Sequence, residues 1–154
     1  MTINTERLIL YPASDEKIKD LIENEESTEL RAAYSEMLEG CISHPDLRIY
    51  YAPWFMELKE KPNTVVGDFC FKGVNDGVVE IGYGLYDGFC GKGYMTEAVT
   101  AITKWVLSQE GIVKVEAETE ASNLASQKVL LRAGFIANGV IGEEGPRFVY
   151  VGEK

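Results

Sequence analysis

Positive charge is scarce in this sequence. It sets 15 Lys and Arg against 25 Asp and Glu, a net charge of −10 over 154 residues. That balance excludes a nucleic-acid binder, which carries a basic stripe on its contact face. It suits a cationic partner through long-range attraction, or else is the solvated acidic face of exposed helices. The excess is steeper in residues 1–60, with 13 acids and 6 bases, than in residues 61–154, with 12 and 9. Histidine occurs once, as His44 ahead of Pro45, and reads as an exposed loop residue. Cys41, Cys70 and Cys90 are odd in number, widely spaced and followed by no histidine pattern. They make neither a zinc site nor a disulfide framework, so we expect reduced thiols, no metal and a cytoplasmic setting. No apolar run approaches the roughly 18 residues of a membrane span. The opening ten residues contain Glu6 and lack the basic start of a secretory leader. Linkers, repeats and low-complexity tracts are also missing. The expectation is a single domain over 1–154, acting as a monomer or homodimer without nucleic acid or membrane.

What is present is a change of period halfway along the chain. Arg7 to Tyr11 reads as a strand closed by Pro12, and Ser14 as the cap of a helix carrying Ile18, Leu21 and Ile22. A second helix is predicted over Thr28 to Leu38, stopping near Gly40. Strands are predicted over Arg48–Leu58, Thr64–Lys72 and Val78–Tyr86, separated by turn-rich tracts at 61–63 and 73–77. From Tyr94, apolar residues recur at Ala98, Ala101, Ile102, Trp105 and Val106, an amphipathic helix. An alternating strand follows at Val113–Glu120, then a helix over Asn123–Ala133 with Gly134 at its end. Phe135-Ile136 and Arg147–Val151 supply the last strands. The fold class is α+β: a mixed, mostly antiparallel sheet of about seven strands, about four helices, and a central βαβ unit. Trp54, Phe55, Tyr50 and Tyr51 read as core and rim of that sheet.

The most informative segment runs from Glu80 to Ala98, where a strand enters a glycine-rich turn and a helix leaves it. Gly91 and Gly93 permit positive φ, so successive N–H groups can converge on an anion at the helix start. A Walker loop fails, because Gly93 follows Gly91-Lys92 and Tyr86 holds the first glycine position. A dinucleotide fingerprint fails too, because Gly88, Gly91 and Gly93 have its spacing reversed. The remaining reading is a coenzyme A pyrophosphate loop.

Here the chain resembles the GNAT superfamily of N-acetyltransferases, in its ribosomal-protein N-terminal acetyltransferase-like branch. The likeness is carried by Thr5–Leu10, Val66-Gly67, Glu80–Tyr83, Gly91–Ala98, Asn123–Ser126 and Ala133–Phe135. It departs at Gly88, where the family motif has Gln or Arg. The resemblance implies a GNAT fold with acetyl-CoA as cosubstrate and a primary amine as acceptor, either a peptide or protein N-terminus or a small amine, cationic by the charge balance. It implies that the backbone of Gly84, Leu85 and Tyr86 pairs with the pantetheine arm. Residues Gly91, Lys92, Gly93, Tyr94, Met95 and Thr96 would hold the pyrophosphate, and Asn123 would bond the pantetheine.

The implied chemistry is direct attack of the amine on the thioester in a ternary complex. A lysine-like amine is neutral in only about one part in 2,500 at pH 7, and an α-amine in roughly one in ten. The first needs a base far more than the second. Glu80 is the candidate base, or else a solvent-facing or orienting residue. Many relatives place a thiolate-protonating tyrosine seven residues after the asparagine, where this chain has Leu130. Ser126 is the substitute, as acid or coenzyme ligand, or else a bond to the helix start. Cys90 lies near a helix start but has no histidine partner in sequence. The departures at Gly88 and Leu130 leave a second class open, a non-catalytic acyl-CoA-binding sensor.

Overall fold

The computed structural model describes residues 1–151. Eight strands form one sheet: β1 (Ile3–Asn4), β2 (Leu8–Pro12), β3 (Trp54–Leu58), β4 (Val65–Asn75), β5 (Val78–Leu85), β6 (Lys114–Glu118), β7 (Phe135–Ile141) and β8 (Pro146–Tyr150). Their order is β1-β2-β3-β4-β5-β6-β8-β7. Every neighbouring pair is antiparallel except β5 and β6. That parallel pair needs a crossover, which α3 (Tyr94–Leu107) supplies. The other helices are α1 (Asp15–Asn24), α2 (Thr28–Ser43) and α4 (Leu124–Arg132). None among the described residues is long and apolar enough to cross a membrane.

Strand alternation sends side chains to two cores. Leu8, Leu10, Trp54, Met56, Val79 and Ile81 pack with Ala98, Val99 and Ile102 of α3. Trp54 is fully buried and stacks on Phe69 with ring centroids 5.1 Å apart. On the opposite face Phe55 joins Ile18 of α1 and Cys41 of α2, with Tyr11 and Tyr34 packed against them. The sheet therefore has an α3 face and an α1–α2 face.

Two expectations are corrected. The segment read as one strand from Arg48 begins as a 3-10 helix, Pro45–Tyr50, and only Trp54–Leu58 is extended. Pro45 presets the first helical φ, Arg48 reaches back to Ala13 O and Asp15 Oδ1, and the Trp54 indole donates to Ile49 O at 2.8 Å. Helix α2 runs past Gly40 to Ser43. Gly40 serves packing there, because a Cβ would stand 2.4 Å from the Tyr51 ring. The expected mixed, mostly antiparallel sheet is present, and its eighth strand is the two-residue Ile3–Asn4 paired with Ile9 and Leu10.

Candidate active site

The pairing of β5 with β6 ends at Ile81 opposite Ala117, while β5 stays paired to β4 as far as Leu85. The residues from Gly82 onward thus turn one row of main-chain groups toward a gap where β6 would have continued. Such a row is a template for an added extended segment. A cavity of about 470 Å³ opens there. Tyr83, Gly84 and Leu85 form one wall, Gly91, Gly93, Met95 and Thr96 the loop and helix start, and Asn123, Ser126, Lys128 and Arg132 the α4 wall.

The loop is shaped for an anion. Gly88, Gly91 and Gly93 have φ of 91°, 78° and 80°, the region where a side chain is strained. Gly93 is the N-cap of α3 and supplies no side-chain cap. The first N–H groups of α3 therefore have neither an intrahelical partner nor a cap, and the helix dipole adds about half a positive charge there. Lys128 and Arg132, one turn apart on α4, bring cationic side chains to the same cavity. The sequence reading missed both, although an i, i+4 basic pair on the helix after Asn123 was visible.

The loop is tied down from the far end of the chain. Glu97, in the first turn of α3, accepts from the Thr5 hydroxyl at 2.5 Å, the Arg7 N–H at 2.8 Å and Arg7 Nε at 2.8 Å. Arg7 Nη1 then donates to Lys92 O at 2.8 Å, and its guanidinium lies 4.4 Å from the Tyr94 ring centre. Lys92 and Tyr94 thus meet Arg7 and do not line the cavity. Tyr86 does not line it either, because its hydroxyl crosses to Asp68 Oδ2 on the α1–α2 face.

At the start of α4, Asn123 Oδ1 accepts from Ser126 N at 3.1 Å as the helix cap, which leaves its amide NH2 for a ligand. Ser126 Oγ lies 2.9 Å from the Tyr83 hydroxyl, which also reaches Ser126 O at 3.3 Å. Burial pushes the Tyr83 phenol up to about 12 against the opposing pull of Ser126, so it keeps its proton at neutral pH. Leu130 is fully buried. Tyr83 was missed as a site residue because its strand position reads as ordinary alternation, and only the folded chain brings it to Ser126.

Glu80 lies outside the cavity, on the α1–α2 face. Its Oε1 accepts from Arg147 at 3.0 Å, and Oε2 is 4.0 Å from Lys72 Nζ. Arg147 also bonds Glu116 at 3.0 Å and Glu118 at 2.8 Å. The apolar neighbours Val79 and Ile81 point to the other face and do not surround Glu80. His44 caps the end of α2 and stacks on Tyr51 at 4.7 Å. Cys90 is exposed at the cavity wall, Cys70 is half-buried and Cys41 is buried.

A mixed sheet that splits beside an uncapped helix start leaves room between two strands for an extended, anionic ligand. Residues 7–136 match the Acetyltransferase (GNAT) domain. The chain belongs to the GNAT acetyltransferase family. It is 37% identical over 83 residues to the uncharacterized N-acetyltransferase YjdG of Bacillus subtilis, a match spanning 53% of this chain. It spans about half (49%) of that relative's length. Among solved structures, an acetyltransferase from Agrobacterium tumefaciens superposes with TM-score 0.76 at 18% identity, over 99% of this chain and 95% of that one. A ribosomal-protein-S5-alanine acetyltransferase from Vibrio fischeri superposes with TM-score 0.75 at 14% identity, over 97% and 94%. RimL, a ribosomal L7/L12 alpha-N-protein acetyltransferase solved with coenzyme A, does so with TM-score 0.73 at 18% identity, over 97% and 96%.

Proposed function

We propose that this protein moves an acetyl group from acetyl-CoA to a cationic primary amine by direct attack in a ternary complex. The carrying observation is that one cavity joins the open edge of β5, the uncapped start of α3 and the Asn123–Ser126 turn. In this reading the amides at Gly91–Thr96 take the pyrophosphate, helped by Lys128 and Arg132. The main chain at Gly84–Tyr86 takes the pantetheine as an added strand, and the Asn123 amide bonds it. Because these contacts are mostly main-chain, Gly88 in place of Gln or Arg costs little. The global acidity opposes a polyanion, but it is screened within about 8 Å at physiological salt, whereas direct amide contacts are not.

Attack forms the C–N bond and breaks C–S, so the departing sulfur needs a proton or a strong hydrogen bond. In this reading Ser126 gives it, supported by its hydroxyl lying 2.9 Å from Tyr83 at the cavity wall. A Tyr83 hydroxyl that donates to Ser126 Oγ leaves the serine O–H free to point into the cavity. The ammonium must also lose a proton, and the base to which the sequence points is the Glu80 carboxylate. The reaction belongs in a reducing cytoplasm, where the free thiols stay reduced.

Calorimetry with acetyl-CoA, combined with thiol release over peptides, polyamines and amino sugars, tests the reading. Binding with turnover on at least one amine supports transfer. Tight binding with no turnover across the panel supports a non-catalytic acyl-CoA sensor.

A further inference from the structure

The α1–α2 face carries a second carboxylate beside the split, and it has fewer partners than Glu80. Asp68 on β4 stands directly across from Gly84 of β5. Opposed residues in an antiparallel pair have Cα atoms about 4.5–5.5 Å apart. Glu80 lies four residues further along β5, about 13 Å at roughly 3.3 Å per residue. Gly84, Leu85 and Ser126 line one cavity, so they would hold the thioester end of an arm paired to β5 in the proposed reading.

The surroundings of the two carboxylates differ. Glu80 holds Arg147 at 3.0 Å and lies 4.0 Å from Lys72. Asp68 is half-buried, and among the described residues no Lys or Arg forms an ion pair with it. Its hydrogen-bond partner is the Tyr86 hydroxyl at 3.0 Å. A partly buried carboxylate without a cation is costly, and a bound ammonium would offset that cost. Burial pushes the Asp68 carboxyl up, against the opposing pull of Tyr86, which moves it toward the range of a useful base.

Space is available beside it. A side chain at Gly84 would meet nothing within 4 Å, so the slot next to Asp68 is open. Tyr86 and Tyr34 of α2 flank it, and both phenols are raised by burial and by the Asp68 charge. Phenol rings beside a carboxylate are a favourable setting for an ammonium carried on an apolar stem.

Building on the transfer reading, we propose that Asp68 is the residue that meets the acceptor's ammonium and takes its first proton. The balance is simple. The ammonium gives one proton to the Asp68 carboxylate, which passes it to solvent. The freed nitrogen lone pair forms the C–N bond, the C–S bond breaks, and the sulfur leaves with the electron pair. The second nitrogen proton is lost as the intermediate collapses and balances the one that Ser126 delivers to sulfur. The products are the acetamide, free coenzyme A and one proton.

The test compares Asp68→Asn, an isosteric change that keeps a partner for Tyr86, with Glu80→Gln and wild type. For the best amine of the panel, Asp68→Asn should lower kcat/KM by about 100-fold at pH 7, the low end for removing a general base. The loss should shrink as pH rises and the free amine grows, while acetyl-CoA affinity by calorimetry stays at wild type. A wild-type pH profile in Asp68→Asn, or a larger loss in Glu80→Gln than in Asp68→Asn, would overturn the assignment and leave acetyl transfer standing. If wild type turns over none of the amines, the transfer reading fails separately, and calorimetry of spermidine on coenzyme A-loaded protein decides the anchoring role. Weaker spermidine binding in Asp68→Asn than in wild type supports it, and equal or absent binding in both overturns it.

Discussion

Glu97 fastens the start of α3 and the glycine-rich loop before it to Thr5 and Arg7, and removing its side chain is a quantitative test. Glu97→Ala deletes the acceptor for the Thr5 hydroxyl, the Arg7 N–H and Arg7 Nε. A hydrogen bond to a charged group contributes about 1.5–3 kcal/mol when well shielded. The Glu97 side chain is 17% exposed but Arg7 is 39% exposed, so the Arg7 side-chain bond is discounted to the surface ion-pair range of about 0–1 kcal/mol. With the other two at about 1–1.5 kcal/mol each after partial solvation, the loss is about 3 kcal/mol. For a chain of this size that is a fall in Tm of about 6–12 °C. Thermal unfolding by circular dichroism measures it. The pH dependence has a definite sign. Burial pushes the Glu97 carboxyl up, but the bonds from Thr5 and Arg7 together hold it below its ordinary value. A depressed folded-state value stabilises the protein above the unfolded one, and that contribution is lost as pH falls through the folded value. The gap between wild type and Glu97→Ala should therefore be full above about pH 5 and narrow below it. A loss under about 1 kcal/mol at neutral pH, or a gap that stays constant into acid, would refute this account of the clamp.

Two further outcomes concern the cavity. Gly93→Val forces a β-branched residue into φ of 80° and brings its Cβ to 3.3 Å from Arg7 Nη2. Acetyl-CoA binding by calorimetry should be abolished, and retained affinity would exclude close main-chain approach at this point. Ser126→Ala and Tyr83→Phe should each lower kcat about tenfold with acetyl-CoA affinity unchanged, and the double variant should be no worse than the poorer single one. Fully additive losses would show that the two hydroxyls act independently.

The strand–loop–helix from Val78 to Leu107 was legible in the sequence because glycine spacing and the switch from period two to helical period are local signals. Ser14 was legible as a helix cap for the same reason, and it accepts from the Lys17 N–H. The 3-10 turn at Pro45–Tyr50 was not. Its stability comes from Arg48 reaching Asp15, 33 residues away, and from an indole donating back along the chain. The Tyr83–Ser126 contact spans 43 residues and the Thr5–Glu97 contact 92. No window of sequence contains such a pair. Around Glu80 the apolar neighbours Val79 and Ile81 belong to the other face, because side chains alternate along a strand.

The Arg147 junction has a consequence for how the end of the chain finds its place. Strand β8 is five residues long and must insert between β6 and β7. A slip of one position would turn Arg147 from the face holding Glu80, Glu116 and Glu118 into the apolar layer around Phe148. Three acids would lose their shared cation, and a guanidinium would enter the core. The junction therefore acts as a key that admits β8 in one alignment only.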